Sequence, residues 1–418
     1  MSINSVETTI QQTLTSLTSD NNVKQALAHL INSNEHIIKQ QIKLAETASP
    51  PFNEDKRRKL FIKLLTEAGL NNLTIDSEGN VYGYYHHVAG RPTLFLAAHL
   101  DSVFAIETDV TVTYKNNKYY GAGIYDDARG LAVVISIAAV LNKFNIELDA
   151  SLMIGATVGE EGPGNLRGAK YFFKTHPEVD AFISVDIDAP NEVIYRATGS
   201  LRYIYTFNGS GGHSYSDFGR PSAVHAAARA ITHIANLTPP TNPKTTFNVG
   251  VMNGGTIPTA IAEEAMIYVD MRSIDANALT LLHSQITNLV AQAVDEENEH
   301  WSMTDSPFAI NVMSELKGDR PAGSQSDTAI PVLAAMNAAR SLGLTPRLSE
   351  PASTDINAPL SIGVPAIAIG GGGKAYDEHS TNESFDPTDS HLGPQRVLLT
   401  VLTLLGIKGV TTATLTKR

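Results

Sequence analysis

Glu160 and Glu161 stand side by side at the end of an apolar run, residues 151–159, and lead into Gly162-Pro163-Gly164. Two carboxylates at the mouth of a buried strand are costly unless something there requires negative charge. A cation would meet that requirement, and adjacent acids can divide the work, one binding metal and the other moving protons. The structural alternative is a pair of exposed acids on a loop. The pair therefore gains meaning only from what else shares its setting.

Four further segments share it. His99-Leu-Asp101 follows the apolar residues 94–98. Residues two apart in an extended chain point the same way, so imidazole and carboxylate can meet. A metal-bound His commonly gives its second ring N–H to a carboxylate, which makes His99 a candidate ligand and Asp101 its orienting partner; a surface pair is the alternative. Gly121-Ala-Gly-Ile-Tyr-Asp126-Asp127-Ala-Arg-Gly130 is a glycine-rich loop entering a helix. Its spacing matches neither the phosphate-loop nor the dinucleotide fingerprint, and it carries two acids. Those acids either cap the helix or provide a carboxylate that bridges two cations. Ser184-Val-Asp186-Ile-Asp188 places acids after one apolar strand, and His379 follows another through Gly370–Gly373. Ligands of open α/β sheets bind outside the carboxyl ends of strands. His99, Glu160/Glu161, Asp186 and His379 all occupy that kind of position.

Such positions need a sheet to carry them. Apolar strands are expected at 93–98, 151–158 and 181–185, alternating with helices at 130–144 and 169–175, the signature of a mostly parallel sheet covered by helices on both faces. Helical spacing also marks 23–31 and 36–44, and a further helix opens at 53–55 and ends near Gly69. Asp76–Asn80 reads as a turn. From Gly199 the order changes to strand 202–207, helix 222–236, strands 246–252 and 264–271, helix 277–297 and strand 306–315, the βαββαβ order of a ferredoxin-like layer. A helix at 329–342 and a strand at 365–369 return to the first pattern. The expected architecture is α/β: residues 1–198 and 313–418 form one discontinuous domain around the mostly parallel sheet, and 199–312 an inserted α+β domain.

Composition narrows the function classes. A chain of 418 residues favours two domains. A formal charge of −12 argues against a general nucleic-acid binder. No apolar run has the length of a membrane span, and Met1–Thr9 lacks the basic start and apolar stretch of a signal peptide. The absence of cysteine excludes disulfides, thiolate metal sites and cysteine nucleophiles, and fits cytoplasmic residence. A metal site must then be built from His, Asp and Glu, a donor set that suits Zn²⁺, Co²⁺ or Mn²⁺.

Taken in order, His-x-Asp, Asp-Asp, Gly-Glu-Glu, Asp and a late His resemble the dinuclear zinc exopeptidases and amidohydrolases that include peptidase T, carboxypeptidase G and aminoacylase. The resemblance runs from about Ile42 to Leu405 and includes the insert, and it implies that residues 1–198 and 313–418 are a zinc-binding catalytic domain and 199–312 a lid or dimerisation domain. It implies that His99 and Asp186 bind one zinc, that Glu161 and His379 bind the other, and that Asp126 bridges the two, with the Asp126–Asp127 peptide in the cis form. It implies further that Glu160 is the general base, passing a proton from water to the leaving amine, and that Asp101 steadies His99. In the insert, His213 of Gly209-Ser-Gly-Gly-His213 would stabilise the oxyanion, in dimeric members from the partner subunit. Arg272 of Asp270-Met-Arg272 would bind a substrate carboxylate.

The chain departs from the family pattern at Thr259 and Ala262, which replace an Asn and a Pro, and at Ala128, which displaces the basic residue to Arg129. His86, His87, His225 and His233 are read as structural or exposed, and His391 as a rival to His379. The expected activity is zinc-dependent hydrolysis of short peptides by a homodimeric exopeptidase. Deacylation of N-acyl amino acids is the alternative within the enzyme class, and a silent binding protein of the same fold the alternative outside it.

Overall fold

The computed structural model describes residues 3–418; Met1 and Ser2, which open the segment read as lacking a signal peptide, lie outside the described residues. The chain divides into two compact units, Met1–Ala197 with Ser324–Arg418, and Thr198–Gly323.

The first unit is built on an eight-stranded mixed sheet. At its centre Ser151–Thr157, Thr93–His99, Ala181–Ile187 and Ala366–Gly370 lie parallel in that spatial order. Every residue of Thr93–His99, Ser151–Thr157 and Ala366–Gly370 is buried. Strands covered on both faces read as continuous apolar runs rather than alternating ones, which is why these segments were legible. The helices Ala128–Lys143 and Leu392–Leu405 are buried almost all round, as helices inside a large core are. On the other face Phe95 stacks between Phe172 and Phe182, with centroids 4.1 and 5.4 Å away.

Local signals set the element ends. Asp20 accepts from the N–H groups of Asn22 and Val23 and starts helix Asn21–Asn32, a cap whose loss typically costs about 1 kcal/mol. Asp76 accepts from Glu78, Gly79 and Asn80 and closes the expected turn. Gly130, in the first turn of Ala128–Lys143, has no room for a side chain: a Cβ there would lie 1.9 Å from the Val185 carbonyl. That glycine lets the helix start close against the strand bearing Asp186.

The second unit has a four-stranded antiparallel sheet in the order Thr245–Gly254, Glu264–Ser273, Gly199–Asn208, Asn311–Arg320. The helices Ala223–Ala235 and Ala276–His300 bury one face through Ala226, Ala230, Ile286 and Val290 against Phe207, Ile267, Val269 and Met271. This is the strand order of a ferredoxin-like layer. The last strand begins at Asn311 instead of Ser306 and runs to Arg320, so the unit extends to Gly323 and past residue 312, where the sequence pattern puts the boundary. Its outer residues 313–317 are exposed and carry no clean alternation to mark the register; pairing with Gly199–Asn208 decides it.

Candidate metal centre and active site

Parallel strands bring their carboxyl ends to one edge, and the candidate residues gather there. His99 is the last residue of its strand and lies across from Thr157. The chain from Thr157 turns at Gly159, in the left-handed region at φ 67, and delivers Glu160 and Glu161. Asp186 comes from the neighbouring strand on the other side.

These groups form two half-sites. The His99 Nε2 is 2.9 Å from Asp126 Oδ1 and 3.5 Å from Asp186 Oδ1. The His379 Nε2 is 2.9 Å from Asp126 Oδ2 and 3.2 Å from Glu161 Oε1. Asp126 thus turns one oxygen to each imidazole, and its peptide bond to Asp127 is cis. Donor atoms of His99, Asp126 and Glu161 lie within 4.8 Å of one another, as do those of His99, Asp127 and Asp186. Two imidazoles and three carboxylates, one shared, are a donor set suited to two divalent cations.

The electrostatics say the same. Burial pushes Glu161 up to about 7 and raises Asp186. Burial also opposes ionisation of Asp126, but His379 and His99 hold it well below the usual carboxylate range. Against its own desolvation, His99 is raised well above the ordinary imidazole value by Asp101, Asp126 and Asp186. Hydrogen bonds to Asp126 and Glu161 carry His379 up to about 11. Protons here fill a place that demands positive charge.

Asp101 differs from expectation. The nearest partner of His99 Nδ1 is the Asp101 backbone carbonyl at 3.1 Å, and the carboxylate is 3.7 Å away, beyond hydrogen-bond distance. The fully buried carboxylate instead accepts from the N–H of Glu160 (3.0 Å) and of Glu161 (2.8 Å). The regular strand ends at His99, although Leu100 N–H still donates to the Thr157 carbonyl at 2.8 Å, and the Asp101 carboxylate meets the chain leaving the neighbouring strand.

Asp127 takes the helix-cap reading: its Oδ1 accepts from Gly130 N–H and its Oδ2 from His99 N–H, each at 3.0 Å. The Asp-Asp pair thus splits between the cluster and the cap. Three participants escaped the sequence reading. Asp355 is buried, raised by burial to about 7, and bonded to Thr157 Oγ1; its sequence Ser353-Thr-Asp-Ile carries no metal-ligand spacing. Glu383 is buried, also raised by burial to about 7, and accepts from backbone N–H groups of the Asp126 loop. Arg57 is fully buried and donates to the Leu100 carbonyl at 3.1 Å. Burial lowers its guanidinium to about 10, while Asp101, Asp126 and Asp127 favour its charge. No local pattern marks Arg57, since it lies on an otherwise ordinary amphipathic helix, Asp55–Glu67.

His213 and Arg272 belong to the inserted unit. His213 is exposed, its Nδ1 accepting from the N–H groups of Tyr215 and Ser216 at 3.2 and 3.3 Å. Its neutral ring therefore carries the proton on Nε2. His213 pairs with Ala260 and Ser214 N–H donates to the Thr259 carbonyl. The departure at Thr259 therefore sits against the His213 turn, beside a 640 Å³ cavity lined in part by Gly212, Gly255 and Ala262. Arg272 Nε donates to Asp270 at 2.8 Å, and Asp270 also accepts from Arg202 at 3.0 Å. His233 pairs with Glu296 and His225 lies 3.5 Å from Glu297. His391 precedes the helix Leu392–Leu405.

Comparison with known proteins bears on the fold and the family. The chain resembles the aminopeptidase PepT from Bacillus cereus at a TM-score of 0.73 and 21% identity, covering 88% of this chain and 98% of that one. It resembles a Bacillus subtilis dinuclear metal binding peptidase at 0.67 and 15% identity, covering 91% and 99%. At such identities these matches establish the fold. Among curated relatives, the "Probable carboxypeptidase" of Neosartorya fischeri is 26% identical over 264 residues, 58% of this chain and 57% of that protein. The acetylornithine deacetylase of Yersinia pestis is 25% identical over 227 residues, 51% and 56%. The chain thus matches little more than half the length of these curated relatives. The model of peptidase family M20/M25/M40 matches residues 95–402, from the strand that ends in His99 to the last helix, and the chain belongs to that family.

Proposed function

We propose that the chain is a metal-dependent hydrolase of amide bonds, an exopeptidase acting on short peptides. The observation that carries this reading is the pair of His–carboxylate half-sites sharing Asp126, with Glu160 next in sequence to the donor Glu161. His99, Asp186, Glu161, His379 and the shared Asp126 would hold two Zn²⁺, with Co²⁺ or Mn²⁺ as alternatives. When bound, such cations polarise a carbonyl and lower the pKa of water.

The protein's own groups do the rest. Glu160 takes a proton from water as its oxygen bonds to the scissile carbonyl carbon, and returns it to the amine as the C–N bond breaks. Asp101 fixes where Glu160 stands through the two backbone N–H bonds. His213, with Nδ1 engaged by its own turn, offers Nε2–H to the developing oxyanion. Arg272 is the candidate for a substrate carboxylate through the guanidinium edge away from Asp270. A cytoplasmic homodimer belongs to the same proposal; sedimentation tests the assembly.

The direct test is Glu160→Gln. The variant is expected to keep its cations and lose turnover by a factor of about 10² to 10⁴; normal turnover would sink the mechanism. A second reading, removal of the acyl group from an N-acyl amino acid, is favoured by the likeness to acetylornithine deacetylase. Parallel assays of di- and tripeptides and of N-acetyl amino acids separate the two.

A further inference from the structure

Glu383 lies four residues beyond His379 and is fully buried. Both carboxylate oxygens are engaged by backbone donors of one loop: Oε2 accepts from Gly123 N–H at 2.9 Å, and Oε1 from Tyr125 at 2.7 Å and Asp126 at 3.1 Å. Its backbone carbonyl accepts from Gly121 N–H at 3.1 Å. The next two residues, Ser384 and Phe385, pair with Tyr120 and Tyr119, and Ser384 also pairs with Tyr376 on the strand leading to His379. The loop bearing Asp126 and the loop bearing His379 are therefore joined around Glu383, by its side chain and by the backbone pairing beside it, although the two residues are 253 positions apart in sequence.

A glutamine could not replace it. An amide has one acceptor oxygen and one NH₂ group, so it would turn a donor toward the Gly123 or the Tyr125–Asp126 N–H groups. Nor does the carboxylate belong to either group of converging donor atoms, which are His99, Asp126 and Glu161, and His99, Asp127 and Asp186. Resting on the reading of the cluster as a two-cation centre, we propose that Glu383 is the positioning residue that sets the spacing of the two half-sites. Without its carboxylate, Asp126 would no longer face both imidazoles, and binding of the second cation would weaken.

The test is Co²⁺ titration of the chelator-stripped full chain, followed by visible absorption and by calorimetry, for wild type, Glu383→Gln and a control, Glu297→Gln. Glu297 is an equally buried carboxylate of the inserted unit, bonded to Ser222 N–H, Arg229 and Trp301. Wild type should bind two ions. Glu383→Gln should bind the second at least about tenfold more weakly, within the range typical of groups that hold ligands in place, with a changed spectrum. Glu297→Gln should lose stability yet keep both affinities. A folded Glu383→Gln variant with unchanged affinities and spectrum overturns the proposal. Should that variant not fold, Glu383→Asp decides: an intermediate affinity supports positioning, and wild-type affinity overturns it. Wild type binding fewer than two ions removes the two-cation reading itself before any variant is compared, and this inference with it.

Discussion

Replacing Asp101 by Asn tests how the acid pair is held. In the wild type both oxygens of this fully buried carboxylate accept backbone N–H groups, from Glu160 and Glu161. Asn keeps one acceptor oxygen, so one N–H loses its partner and faces an NH₂ group. A charge-assisted hydrogen bond contributes about 1.5–3 kcal/mol, and a buried donor left without a partner costs about 1–3 kcal/mol. These figures describe overlapping parts of one change, so the expected destabilisation is about 2–4 kcal/mol. Scaling the unfolding entropy to a unit of this size gives roughly 1.5–2 °C per kcal/mol, a fall of about 3–8 °C in Tm. Shifting Glu160 by a fraction of an ångström should also cost about 10- to 100-fold in kcat, with KM little changed. Cation affinity at His99 should survive better than turnover, because the nearest partner of its Nδ1 is the Asp101 backbone carbonyl, which Asn retains. Scanning calorimetry, steady-state kinetics and metal titration on one preparation read all three quantities. A variant with Tm within about 1 °C of wild type and turnover within twofold would refute the anchoring role. Lost cation affinity with intact kcat per bound metal would restore Asp101 as the partner of the imidazole.

Two other outcomes follow from the same geometry. Burial raises Glu161 and Asp355 from ordinary values of 4.5 and 3.8 to about 7 in the folded, cation-free protein. The folded state then binds more protons than the unfolded chain between those values, so their contribution to stability falls as pH rises through that window. The Tm of chelated protein should drop between about pH 5 and 7.5, and Zn²⁺ should restore more at the upper end; a flat profile would contradict the burial argument. Replacing the exposed His213 by Ala should lower kcat about 10²- to 10³-fold if Nε2–H meets the oxyanion, with little change in Tm, and unchanged kcat would remove it from the mechanism.

The sequence by itself determined the elements and most of the candidate set. Strands buried on both faces leave continuous apolar runs, and a polar group at the end of such a run stands out, which made His99, Glu160, Glu161, Asp186 and His379 legible. The alternation of strands and helices then placed those ends on one edge. What only the tertiary structure decided is which atoms meet. Asp126 faces both imidazoles while its neighbour caps a helix, and the Asp101 carboxylate accepts from Glu160 and Glu161 while its backbone carbonyl meets His99 Nδ1. Arg57, Asp355 and Glu383, remote in sequence, also stand around the cluster: Arg57 offsets its negative charge, Asp355 is held by Thr157, and Glu383 accepts from the Asp126 loop. Periodicity records the face a residue presents, whereas hydrogen-bond partners across 250 positions of chain leave no periodic trace and exist only once the core has packed.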